Sequence, residues 1–178
     1  MRNTFRYSLF AVTLAGIVCF GCFSDAHDAG DTGIKWMTWK EALEANKKEP
    51  RKIFVDMYTD WCGWCKRMDA TTFKDSGVTS YLNRHFYAVK MDAETMDTLE
   101  YKGSRYGFVP AYRCNELAAM LLNGQMSYPS SVYLDEQLNI ISAVPGYMPA
   151  PDLIPVLRFF NEDIYKTKTW EEYNQLRK

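Results

Sequence analysis

The chain has 178 residues, a net charge of −1, 15% aromatic residues and five cysteines. That length holds one domain and a leader, and the near-zero charge argues against a nucleic-acid partner or a strongly basic membrane patch. No internal repeat or low-complexity run is present, so repeat arrays and disordered tracts are set aside.

Residues 1–26 read as an export signal. Arg2 and Arg6 give a positive start, and Leu9 to Phe20 is nearly all apolar, the length of a signal core and short for a membrane span. Gly21-Cys22 offers a lipoprotein processing site that would lipidate Cys22, although Cys19 and Phe20 are poor residues before one. Ser24-Asp25-Ala26 offers a small-x-small cleavage site instead, and an uncleaved anchor is the third reading. Each puts the domain outside the cytoplasm, periplasmic or anchored to the membrane through this N-terminus alone. Residues 27–35 form a linker, polar and Gly-rich over Asp28 to Gly33.

Thr38 with Glu41 three residues on predicts a capping box, opening a helix that runs to about Lys48 before Pro50. Lys52 to Tyr58 is apolar on both faces, as in a buried strand of an α/β sheet. Asp56 is the exception, and a carboxylate there is costly unless used or paired. Next comes Trp61-Cys62-Gly63-Trp64-Cys65-Lys66, two cysteines separated by two residues. A strand, a turn and a helix starting at or near Cys62 would set that thiol among unpaired backbone N–H groups at the positive end of the helix. Such a position lowers a cysteine pKa from roughly 8.5 into the range ~3.5–7.5. Cys65 lies one turn on, on the same face. Cys62 is therefore assigned as the attacking thiolate and Cys65 as the resolving thiol. Two bland readings stand beside this. Half a zinc site would need a second pair or two histidines, and Cys114, His85 and His27 have unrelated spacings. A structural disulfide would cross-link little chain. No metal or other cofactor is expected.

The segment from Val55 to Lys66 resembles the active-site segment of thioredoxin-like proteins. The Trp before the first cysteine, the Gly after it, the Lys after the second and the acid six residues upstream all match, while Trp64 stands where thioredoxin has proline. Trp-Cys-Gly-Trp-Cys-Lys is similar to a bacterial subgroup of exported thioredoxin-fold proteins. The likeness spans roughly Trp36 to Phe160. It implies an α/β, thioredoxin-like fold with a mixed central sheet flanked by helices. It also implies that Asp56 lies beneath the cysteine pair and moves protons to and from Cys65; capping a neighbouring helix end is the alternative.

After the helix from Cys62 to about Ala70, Asp75-Ser76 restarts a helix ending at His85, where a helix C-terminal cation is expected. Phe86 to Met91 alternates as a strand. Residues 98–124 break the family pattern. They read as a hairpin with a Gly turn at Lys102-Gly103-Ser104, then a helix from Glu116 to Leu122 capped by Asn115 and closed by Asn123-Gly124. Cys114, just before that cap, is an odd thiol: a small buried hydrophobe or a third redox group. Tyr128-Pro129 matches the family's cis proline, which faces the redox cysteines and leaves the Tyr128 backbone open to a substrate strand. Strands follow at Ser130 to Asp135 and Ile140 to Val144. Gly146 matches a family position of close backbone approach. A closing helix from Pro151 to about Asp163 buries Leu153, Val156, Leu157 and Phe160, with Pro155 tolerated near its first turn. The domain is thus 36–163, and 164–178 adds a helix docked through Trp170 and Tyr173.

The resemblance implies a thiol–disulfide oxidoreductase of the bacterial envelope that reduces protein disulfides through Cys62 and Cys65. Trp61, Gly63, Trp64, Tyr128, Pro129 and Gly146 would form its substrate platform. A membrane electron donor would lie upstream, and the chain would act as a monomer. Oxidant and isomerase differ from reductase only in potential. A different class also fits: a non-catalytic module that holds unfolded envelope proteins on this aromatic surface.

Overall fold

The computed structural model describes residues 33–177; the export signal, Cys22 and residues 27–32 of the linker lie outside them. The end of the linker belongs to the fold. The Lys35 N–H donates to Asn83 Oδ1 at 2.8 Å, and Asn83 Nδ2 donates to the Gly33 carbonyl at 2.9 Å.

The elements follow the chain as β1 (Trp36–Met37), α1 (Trp39–Lys48), β2 (Ile53–Tyr58), α2 (Gly63–Ala70), a 3₁₀ turn (Thr72–Lys74) and α3 (Ser76–His85). Then come β3 (Tyr87–Asp92), β4 (Leu99–Tyr101), β5 (Ser104–Tyr106), β6 (Phe108–Val109), β7 (Cys114–Asn115) and α4 (Glu116–Leu121). The chain ends with β8 (Ser130–Leu134), β9 (Ile140–Pro145), α5 (Ala150–Asn161) and α6 (Trp170–Leu176). The main sheet runs β1-β3-β2-β8-β9. β2 pairs parallel with β3 and antiparallel with β8, so the sheet is mixed and β2 is its centre.

Local chemistry explains the helix starts. Thr38 and Glu41 make the reciprocal capping box, Asp75 caps α3 through the Val78 N–H, and Thr169 with Glu172 repeats the box at α6. The period of two along β2 divides the core. Ile53, Val55 and Met57 pack on one face with Trp39 and Ala42 of α1 and Leu117 and Leu121 of α4. Phe54 packs on the other with Met68 of α2, Val78 and Leu82 of α3 and Leu153 and Leu157 of α5. Asp56 shares the parity of Phe54 and so faces the α2 side.

The insertion forms the predicted hairpin, with φ +48° at Lys102 and +79° at Gly103, the two left-handed residues of a tight primed turn. It covers the α1 face: the Tyr101 ring lies tilted 5.8 Å from Trp39, whose Nε1 donates to the Glu100 carbonyl at 2.8 Å. Three features differ from expectation. A second two-stranded ladder, β6 with β7, was not predicted, because its strands are two residues each and too short to show a period. Pro155 lies in the second turn of α5, not the first. The burial of Leu153, Val156, Leu157 and Phe160 outweighs a proline cost of roughly 3 kcal/mol. The extension docks where expected, Trp170 and Tyr173 each 5.4 Å from Phe159. Lys52, read as the strand's first residue, is instead a buried cation held by Glu136 at 2.9 Å and Asp163 at 3.1 Å.

Candidate active site

β2 ends at Tyr58, and Thr59 to Trp61 turn the chain into α2. Cys62 is the N-cap of α2: its Sγ accepts the Cys65 N–H at 3.1 Å, and its own N–H donates to the Thr59 carbonyl. A sulfur in this place takes the part that a serine or aspartate oxygen takes at other helix starts. The same donor and the helix dipole would stabilise a thiolate there once the pair is reduced. Cys62 and Cys65 are joined as a disulfide, and both are buried. Among the described residues no group of three or more His, Cys, Asp or Glu could hold a metal ion.

Two aromatic groups flank the pair. Trp61, 64% exposed, meets Tyr128 edge-on at 5.8 Å, and its Nε1 donates to Glu94 Oε1 at 3.1 Å. Trp64, 59% exposed, lies 5.3 Å from Tyr147, with the Arg67 guanidinium over both rings at 5.7 and 5.9 Å. The Tyr147 hydroxyl shares a hydrogen bond with Thr71 Oγ1, which holds its pKa below the usual phenol range. Gly63 opens α2 at an exposed position.

The Tyr128–Pro129 bond is cis, as expected. The Pro129 carbonyl accepts the Gly146 N–H at 2.8 Å, tying this loop to the end of β9. No atom lies within 4 Å of a Cβ built on Gly146, whose φ is +101°. The backbone does approach the Pro129 loop, and the left-handed backbone conformation, not a lack of room for a side chain, is what requires glycine there.

Asp56 is 1% exposed and is paired. Across the parallel register it sits opposite Lys90, whose Nζ donates to Asp56 Oδ2 at 2.7 Å. The same ammonium also bonds Asp69 on α2 and lies over the rings of Trp36, Tyr58 and Phe73 at 5.0 to 5.5 Å. Burial pushes the Asp56 pKa from 3.8 up to about 6, against the pull of Lys90 and with a small push from Asp69. Burial works against the Lys90 charge, but the two carboxylates hold its pKa above the ordinary lysine value. Asp56 Oδ1 is buried without a hydrogen-bond partner, an oxygen available to a proton. Asp69 stands one turn after Cys65 on α2, so Lys90 links the acid on β2 to the cysteine-bearing face of the helix. Removing the Asp69 charge should leave Lys90 to Asp56 alone. In Asp69→Asn the Asp56 titration, followed by carboxyl NMR, should therefore fall below 6; an unchanged or higher midpoint would contradict the shared-cation geometry.

Sequence reasoning missed Lys90, Asp69, Glu94, Tyr112, Met126 and Tyr147. Lys90 had a signal: it is a single charge amid Tyr87-Ala88-Val89 and Met91, beside a strand that also carries a single opposite charge. Asp69 lies on α2, and Glu94, Tyr112, Met126 and Tyr147 come from separate loops, with no sequence periodicity to join them. His85 ends α3 as expected, its ring 4.4 Å from Tyr81; burial lowers its pKa, so its cationic form is disfavoured.

The chain has a thioredoxin-type fold, the fold of disulfide oxidoreductases, and carries a Cys62–Cys65 pair at the start of α2. The chain belongs to the Thioredox_DsbH family, described as a protein of unknown function, DUF255, whose profile matches residues 26–175. It is similar to a "DsbH Oxidoreductase" structure, with a TM-score of 0.56 and 16% identity over 79% of this chain and 92% of that one. At that identity the likeness is one of fold. The solution structure of a "putative disulphide-isomerase" from Bacteroides thetaiotaomicron gives a TM-score of 0.54 at 28% identity, covering 79% of this chain and all of that one (100%). Thiol:disulfide interchange protein DsbD of Pectobacterium atrosepticum is 40% identical over 37 residues, 21% of this chain. The chain spans only 6% of that curated relative's length.

Proposed function

We propose that this chain is a thiol–disulfide oxidoreductase that reduces protein disulfides in the bacterial cell envelope. The observation that carries the reading is Cys62 at the N-cap of α2, its sulfur held by the Cys65 N–H. The Cys62 thiolate attacks a substrate disulfide, and the farther substrate sulfur leaves as thiolate. Cys65 then attacks the Cys62 sulfur of the mixed disulfide, its proton passing to the Asp56 carboxylate. The second substrate thiol is released and the enzyme pair is left as a disulfide. A thiol donor must then return two electrons, and an upstream membrane protein suits an exported domain. The apolar leader with Arg2 and Arg6 supports export, by cleavage or by lipidation of Cys22. Trp61, Gly63, Trp64, Tyr128, Pro129 and Gly146 would meet the substrate, whose extended backbone would lie beside Tyr128.

The equilibrium potential of the Cys62–Cys65 pair in thiol–disulfide buffers tests the direction. A reductase should lie near or below about −220 mV, toward the thioredoxin end of the scale. A value near −120 mV would make the protein an oxidant and contradict the reductive reading.

A further inference from the structure

We propose that the cleft beside Trp61, walled by the insertion, selects substrates by taking an aromatic or long aliphatic side chain from the chain flanking the attacked disulfide. This rests on the exchange activity proposed above and adds to it the chemistry of the preferred substrate. The cleft has a volume of about 580 Å³, room for a side chain and the backbone that carries it. Two of its lining residues adjoin the site along the chain: Trp61 precedes Cys62, and Tyr128 precedes the cis proline. The opposite wall is the tight turn between β6 and β7, which carries Tyr112 and Arg113, and Met126 closes the rim.

Burial and charge indicate what fits. Tyr112 is 78% exposed, Trp61 64% and Met126 39%, so three of the large apolar side chains left in water converge on this cleft. Such convergence marks a contact surface, and methionine adapts to varied apolar shapes. Glu94 and Arg113 are its charged side chains, and together they cancel. Glu94 already accepts the Trp61 indole N–H, which fixes that ring as a wall. Neither an acidic nor a basic side chain would gain from the field. The floor is Cys114, buried, with its thiol pKa raised by burial and by Glu94. It is therefore a neutral, soft surface and not a second thiolate. The insertion thus has a role at the site: it supplies half of a specificity pocket.

The test uses the pre-reduced protein in single turnover on short peptides whose one cysteine is capped by thionitrobenzoate. The residue beside that cysteine is varied among Phe, Leu, Ser, Asp and Lys. Attack of Cys62 on the peptide sulfur releases coloured thionitrobenzoate. The proposal expects Phe and Leu to react about 10-fold faster than Ser, Asp or Lys at sub-saturating peptide, the scale of one buried apolar group. In Tyr112→Ser, an exposed turn position, and in Met126→Ser, on the other wall, that ratio should fall toward one. Equal rates for all five peptides, a preference for Asp or Lys, or a preference that survives both substitutions would overturn the pocket alone. Failure of the wild-type protein to react even with 5,5′-dithiobis(2-nitrobenzoate) would overturn the exchange activity and the pocket with it.

Discussion

Asp56→Asn is expected to make the protein more stable and a slower catalyst. The folded-state pKa of Asp56 is raised from 3.8 to about 6, so between those values the folded chain holds a proton that the unfolded chain has lost. Its favourable contribution is complete below the unfolded value and is lost as pH rises through about 6. At pH 8 the fold carries a buried carboxylate that it disfavours. A shift of this size corresponds to roughly 3 kcal/mol, as an upper bound for so tightly paired a group. The asparagine variant resembles the protonated acid, and Lys90 keeps Asp69 as a partner. Urea unfolding should therefore show Asp56→Asn more stable than wild type by up to about 3 kcal/mol at pH 8, with the difference vanishing near pH 4. Release of the mixed disulfide should slow most above pH 6, where the wild-type acid is ionised and can take the Cys65 proton. Below pH 6 the wild type loses its base and the two proteins should converge. A variant less stable at pH 8, with unchanged release, would leave Asp56 a structural ion pair only.

Cys62→Ser should reduce exchange with any disulfide to the uncatalysed background, because a serine hydroxyl at this N-cap is neither ionised nor able to form the mixed disulfide. Cys65→Ser should behave differently. Cys62 remains at the helix start, so the first attack proceeds and release does not. In wild type reduced by a small dithiol, iodoacetamide should modify Cys62 before Cys65 or Cys114. Burial of Cys114 and the carboxylate of Glu94 raise its thiol pKa and keep it slow.

The parts of this protein legible in the sequence are those written by local chemistry. Thr38 with Glu41, Asp75 and Asn115 mark helix starts because each satisfies a backbone N–H within three residues. The Cys62–Cys65 pair could be read because its spacing lies along one segment, and Tyr128-Pro129 because it resembles the family's cis-proline step. The Lys90 bridge was not read as such, since its partners, Asp56 and Asp69, come from a neighbouring strand and a helix. The cleft was illegible for the same reason. Trp61, Glu94, Tyr112, Met126 and Tyr128 come from four connections, and only the tertiary fold brings them together. Gly146 was read as a place of close backbone approach, and its N–H does bond the Pro129 carbonyl at 2.8 Å, but its φ of +101° was not legible in the sequence.

The most direct test of the central claim is recovery of covalent complexes from envelope extracts of cells producing the Cys65→Ser or Cys62→Ser chain, resolved without reductant and again with it. If Cys62 attacks protein disulfides and Cys65 releases them, Cys65→Ser should carry a set of higher-mass adducts that collapse on reduction, and Cys62→Ser should carry none. Adducts at equal levels in both variants, or in neither, would contradict the account.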